Sequence, residues 1–211
     1  MMICMNFLSL NTVDIVLILK KSKLNFKKMN VDKICEEIVW YSKKDETTGK
    51  WIIPIVIDYD FTITKESSWL HGTFIENDHC IEIMKKWEKE FGVRFILETM
   101  RGENHIQPAI DFCKSKGIEF FGIGRNPLQD SDGDLSCKCW GIWNIDDRDC
   151  MIPLICPKDK RPYVNWEVLD MYMTPILRKV CKRIEEVEER VLEAKRLAHE
   201  ENKYIEIDYS Y

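Results

Sequence analysis

Ile52-Ile53-Pro54-Ile55-Val56-Ile57-Asp58-Tyr59-Asp60-Phe61-Thr62-Ile63-Thr64 is the stretch that decides the fold. From Ile52 to Ile57 the run is almost wholly β-branched and has no polar face, which reads as a strand buried on both sides. Proline cannot donate to a β-ladder, so Pro54 belongs near the start of that strand. The run stops at two aspartates one residue apart. Side chains alternate along an extended chain, so Asp58 and Asp60 fall on one side where the strand ends, and Tyr59 turns away. In an open α/β sheet, ligands bind at that end of the strands.

Three later segments extend the pattern. Ile96-Leu97-Glu98-Thr99-Met100-Arg101 reads as a strand ending in Thr99, Ser136-Cys137-Lys138 supplies a lysine, and Ile142-Trp143-Asn144-Ile145-Asp146-Asp147-Arg148 reads as a strand ending in an acidic pair. In this order the four segments resemble the motifs of the haloacid dehalogenase-like (HAD) hydrolases, whose first motif is a hydrophobic strand followed by Asp-x-Asp-x-Thr. The resemblance runs from residue 52 to residue 170 and is closest in kind to small, minimal-cap members from bacteria and phages. It implies a Rossmann-like three-layer α/β sandwich with a central parallel sheet and a minimal cap. It also implies a Mg²⁺-dependent phosphatase acting on a phosphorylated substrate.

The same resemblance assigns roles that the residue chemistry suits. Asp58 would attack phosphorus and form a phospho-aspartyl intermediate. Asp60 would carry a proton to the leaving oxygen and later take one from water. Thr99 would hydrogen-bond the phosphoryl group and Lys138 would neutralise its charge. Mg²⁺ prefers hard oxygen ligands, here Asp58, the backbone carbonyl of Asp60, and Asp146 or Asp147. Thr62 is expected to support the turn. The chain departs from the family at Phe61, where glycine usually stands; an ordinary φ is expected there, because a strained aromatic beside the nucleophile needs strong support.

The composition sets wider bounds. At 211 residues and 45% hydrophobic, the chain can bury the core of about one domain. A net charge of −5, from 31 basic and 36 acidic residues, gives no overall pull toward nucleic acid or an anionic membrane. Nine cysteines are scattered without a disulfide framework, which points to a reducing cytoplasm. Cys137-x-Cys139 lacks the second pair of ligands that a closed zinc site requires. Residues 1–28 read as a partly ordered extension, with Met29 a second candidate start; Asp14 in the apolar run Ile3 to Leu19 costs about 2.5–3.5 kcal/mol in a membrane helix, so no span is expected.

Residues 29–174 carry the expected domain. A helix is expected over Val31 to Lys43, a turn over Asp45 to Lys50, and a small flap over Ile63 to Asn77 bearing Trp69, His71 and Phe74. Asp78 should cap a helix running to Phe91, followed by a strand over Val93 to Leu97. A helix over Ile106 to Lys116 should end at Gly117, with a strand over Ile118 to Ile123, a loop over Asn126 to Leu135 and a helix opening at Asn165-Trp166. Pro175 should break that helix and leave residues 175–211 as a separate charged helix and tail, whose narrow apolar stripe either lies on the domain or pairs with a second copy. Two functions fit these readings. The chain is a Mg²⁺-dependent phosphatase of a nucleotide or other bulky phosphoester, or a non-catalytic HAD-like domain that binds a phosphorylated ligand or a partner.

Overall fold

The computed structural model describes residues 33, 35, 44–45, 48–66, 74–131 and 137–208. The extension 1–28, most of the helix expected over Val31 to Lys43, the flap residues Trp69 and His71, and Ser136 lie outside them. Lys33 and Cys35 are helical, and Cys35 is fully buried.

The elements run β1 (Ile53–Ile57), α1 (Cys80–Phe91), β2 (Val93–Leu97), α2 (Glu103–Ser115), β3 (Gly122–Ile123), α3 (Pro127–Ser131), β4 (Trp143–Ile145), β5 (Leu154–Ile155), β6 (Tyr163–Val164) and α4 (Trp166–Asp208). Four strands form one parallel sheet in the order β3-β2-β1-β4, and β5 and β6 form a separate antiparallel pair. This is an α/β fold compatible with a Rossmann-like architecture. The chain lays β1, β2 and β3 in one direction and then returns to place β4 on the far side of β1, so the topology reverses between β1 and β4. Such a reversal opens a crevice beyond the carboxyl ends of those two strands.

All five residues of β1 are buried. Ile53, Ile55 and Ile57 join one apolar cluster with Val93, Phe95 and Leu97 of β2, Trp87 of α1, Cys113 of α2 and Leu169 of α4. Val56 points the other way and meets Gly141, where a Cβ would stand 2.8 Å from Val56 Cγ2. Pro54 sits inside a central strand, and its position explains why. Its carbonyl accepts the Ile142 N–H at 2.9 Å, so its missing N–H falls on the β4 side, where β4 pairing begins only at Trp143 opposite Ile55. No ladder bond is lost.

Several expected boundaries differ. Asp78 does not cap α1: it pairs with Lys65 at 2.5 Å, and the N-cap is His79 at φ 61, without a side-chain cap. The close of α1 is Gly92, whose φ of 73 serves the left-handed turn that starts β2 and whose absent Cβ would stand 2.5 Å from the Trp51 carbonyl. Helix α2 begins three residues earlier than expected and ends before Gly117, at φ 78. Only Gly122 and Ile123 of the expected third strand pair, and the expected loop after Asn126 contains the short helix α3.

Pro175 does not divide the C-terminal region, because α4 runs unbroken through it. Trp166, Leu169, Met173, Leu177, Val180, Ile184 and Val187 recur at spacings of three and four and are each at most 2% exposed. That stripe packs on the chain's own core, and the Trp166 and Trp87 rings lie 5.8 Å apart. A proline in a helix interior costs about 3 kcal/mol, which burial of a few such side chains at 1.5–3 kcal/mol each outweighs. The division at residue 175 therefore falls inside one packed element. Pro175 itself is exposed. Replacing it with Ala restores a backbone donor without touching the stripe, so Pro175→Ala should raise the unfolding free energy by about 1 kcal/mol or more in a urea titration. An unchanged or lowered midpoint would show that the proline is required by the packing.

Candidate active site at the strand ends

The ends of β1, β2 and β4 are held flush by the backbone. The Asp58 N–H donates to the Ile145 carbonyl at 2.9 Å and the Glu98 N–H to the Ile57 carbonyl at 2.9 Å. Asp58, Glu98 and Asp146 are thus each the first residue beyond a strand. Together with Asp60, Phe61, Thr99, Arg101, Asp147, Arg148 and Arg161 they line a cavity of about 660 Å³. It opens where the strand order reverses.

Asp58, Asp146 and Asp147 each offer a carboxylate oxygen, all within 4.8 Å of one another. Like charges at that separation repel, and burial raises the cost. Burial pushes the Asp58 carboxyl up to about 7 against an opposing hydrogen bond from the Tyr59 backbone, with lesser upward pushes from Asp146, Asp60 and Asp147. Asp147 is 9% exposed, and burial raises its carboxyl too, although Arg161 partly offsets this. Three hard carboxylate oxygens gathered this closely, with Arg161 on Asp147 alone, suit a small divalent cation such as Mg²⁺. Among the described residues, these three carboxylates are the group that could hold it.

Asp60 stands apart. Arg101 Nε and Nη2 donate to its two carboxylate oxygens at 2.9 and 2.6 Å, and the Arg101 side chain is only 4% exposed. The same guanidinium lies 4.8 Å from the Tyr59 ring centre and 5.5 Å from that of Phe74. A fork of this kind is the strongest geometry available to a carboxylate. In this arrangement Asp60 is engaged as an ion-pair partner.

Thr99 lines the cavity, and its Oγ1 accepts the Arg101 N–H at 3.4 Å. Lys138 is not brought there. It is exposed, and the Cys137-to-Trp140 segment is tied to the flank of the sheet: Gln129 Nε2 donates to the Lys138 carbonyl at 2.9 Å, and Asn126 Nδ2 donates to the Trp140 carbonyl at 2.7 Å. The cations at the cavity are arginines. Arg101 had a readable signal, two residues beyond a strand-end threonine. Arg161 had none, since it follows an irregular proline-rich stretch.

Thr62 supports the turn as expected, and does so as a junction. Its hydroxyl accepts the Asp147 N–H at 3.2 Å, and its carbonyl accepts Asn77 Nδ2 at 3.0 Å and Trp166 Nε1 at 2.8 Å. The flap base is tied by an antiparallel bridge between Thr64 and Glu76. Phe61, however, has a φ of 61, contrary to the ordinary φ expected. The left-handed region puts Cβ near the following carbonyl, and here the Val164 N–H clasps the Phe61 carbonyl at 2.9 Å and holds the turn in place.

Neither a family model nor a curated protein matches the chain. A solved structure described as "Structure of the conserved protein coded by locus from Bacteroides thetaiotaomicron" aligns at 23% identity over 59% of this chain and 92% of its own, with a TM-score of 0.46. At that score the likeness settles nothing about fold or function. No helix among the described residues is long and apolar enough to cross a membrane.

Two outcomes follow from this geometry. Because the Asp58 carboxyl is raised when folded, the favourable contribution of its proton is complete below about pH 4 and is lost as pH rises to about 7. Without added divalent cation, Asp58→Asn should therefore be more stable than wild type at pH 8, by on the order of 1–4 kcal/mol, with the gap shrinking toward pH 5. A gap that stays constant with pH would contradict the burial of an uncompensated charge. At position 61, Phe61→Gly should be more stable than Phe61→Ala by about 1 kcal/mol in chemical denaturation, the reverse of the usual order, because only glycine escapes the strain.

Proposed function

We propose that this chain is a Mg²⁺-dependent phosphohydrolase of the HAD type, acting through a phospho-aspartyl intermediate on Asp58. The observation that carries the reading is the convergence of Asp58, Asp146 and Asp147 within 4.8 Å at the end of parallel strands, beside arginines in one cavity. The order of strand-end residues along the chain supports the same reading.

In the first step an Asp58 carboxylate oxygen attacks phosphorus. A P–O bond to the substrate's carrier breaks, and the leaving oxygen takes a proton. In the second step water attacks phosphorus while a base, Asp60 in this reading, takes its proton; the bond from phosphorus to the Asp58 oxygen breaks, and Asp58 returns as a carboxylate with inorganic phosphate released. Asp58 must be ionised to attack, and its burial and its carboxylate neighbours oppose that. A divalent cation held by Asp58, Asp146 and Asp147 would stabilise the ionised carboxylates and polarise the phosphoryl oxygens. Thr99 and the Arg148 guanidinium at the cavity wall would hydrogen-bond the transferring group. Asp60 would serve the leaving oxygen only after giving up Arg101, so the fork must open during turnover.

That fork also favours a second reading, a domain that binds a phosphorylated ligand or partner without turning it over. The two separate on one assay. The first reading expects hydrolysis of an aryl phosphate that needs added Mg²⁺, is abolished by EDTA, and falls at least about 10³-fold in Asp58→Asn with the fold retained. Phosphate binding without hydrolysis under the same conditions would favour the binding domain. Wild-type turnover in Asp58→Asn would remove Asp58 as nucleophile.

A further inference from the structure

Phe61 and Arg161 are coupled in a way that neither role above uses. The Arg161 guanidinium lies 4.3 Å from the Phe61 ring centre, within cation–π range, and its Nη2 donates to Asp147 Oδ2 at 2.7 Å. The Arg161 side chain is 42% exposed, whereas that of Asp147 is 6% exposed, so the arginine reaches from the rim to the buried acid. Both Phe61 and Arg161 line the cavity. The segments bearing them are pinned together by the Val164 N–H on the Phe61 carbonyl, two residues beyond Pro162. Phe61 keeps a ring at a φ of 61, where glycine would be free of strain. Strain held at a cavity wall calls for a return, and the ring's return is the position of the guanidinium.

We propose that Phe61 and Arg161 form a positioning arm in which the ring holds the guanidinium as the built-in counter-cation of Asp147, where it competes with a divalent cation and supplies positive charge to an oxyanion bound in the cavity. Arg161 is a positioning and ligand-binding residue on this account. The proposal rests on the phosphohydrolase reading only for the presence of the divalent cation. The physical basis is short-range electrostatics: a guanidinium 2.7 Å from an acid that could hold the cation lowers that acid's attraction for it. The same planar fork matches a phosphoryl group. Lysine would keep the charge and lose the stacking and the fork.

The test is calorimetric titration of the full chain, first with Mg²⁺ alone and then with inorganic phosphate at saturating Mg²⁺. It compares wild type, Arg161→Gln, Arg161→Lys and Phe61→Leu, each with its thermal transition recorded. Arg161→Gln should bind Mg²⁺ about 3–10-fold more tightly and phosphate at least about 10-fold more weakly. Arg161→Lys should stay within about threefold of wild type for Mg²⁺ yet lose much of the phosphate affinity. Phe61→Leu should shift both affinities in the direction of Arg161→Gln, by less. A merely structural arm would lower the melting temperature of Arg161→Gln without moving the two affinities in opposite directions. Unchanged or weakened Mg²⁺ binding in Arg161→Gln overturns the arm while leaving the phosphohydrolase reading standing. Failure of wild type to bind Mg²⁺ overturns both.

Discussion

Three carboxylates brought together at the ends of two neighbouring parallel strands are the constraint to which the rest of this structure responds. The pairing of β1 with β4 fixes it, since the Asp58 N–H is bonded to the Ile145 carbonyl and Asp146 and Asp147 follow at once. Burial, and then mutual repulsion, push the Asp58 carboxyl up to about 7. Raised carboxyls in a cleft are a mark of candidate functional sites. The sheet is built to hold them regardless, with every residue of β1 buried and the apolar stripe of α4 closing the core beneath.

The turn after β1 converts that rigid sheet into a shaped site. Thr62 joins the turn to the β4 end through Asp147, to the flap base through Asn77 and to α4 through Trp166. Asn77 Nδ2 donates also to the Val164 carbonyl at 2.8 Å, so the same node reaches β6. Four segments agree on one backbone path, which is how a non-glycine residue can be kept at positive φ next to Asp60. Two arginines complete the arrangement, and each is attached to one acid and to an aromatic ring. Arg101 holds Asp60 over Tyr59 and Phe74, while Arg161 holds Asp147 over Phe61.

Much of this was legible in the amino-acid sequence because strands buried on both faces are written as unbroken apolar runs. β1 was readable that way, β2 was readable despite the interruption at Arg94, and the strand-end residues Asp58, Thr99, Asp146 and Asp147 lie at the cavity. The misses have physical causes. Pro175 reads as a stop on propensity alone, whereas the stripe from Trp166 to Val187 continues through it and tertiary burial prevails. Phe61 looked ordinary because its strain is maintained by partners, Val164 and Arg161, that stand about a hundred residues away. Lys138 looked catalytic by its order in the chain, but Gln129 ties its segment elsewhere. The ion pairs that decide the electrostatics join residues 41 and 14 positions apart, and no local pattern announces them.

The proposed reaction rests on transfer of the phosphoryl group to Asp58. The most direct measurement is mass spectrometry of the full chain, acid-quenched within the first turnovers with an aryl phosphate and Mg²⁺ and then digested. A phosphoryl group is expected on the peptide that contains Asp58, lost when the quench is delayed until substrate is exhausted and absent from Asp58→Asn. Steady turnover with no phosphoryl group on that peptide at any quench time, or a phosphoryl group mapped to a different residue, would contradict it.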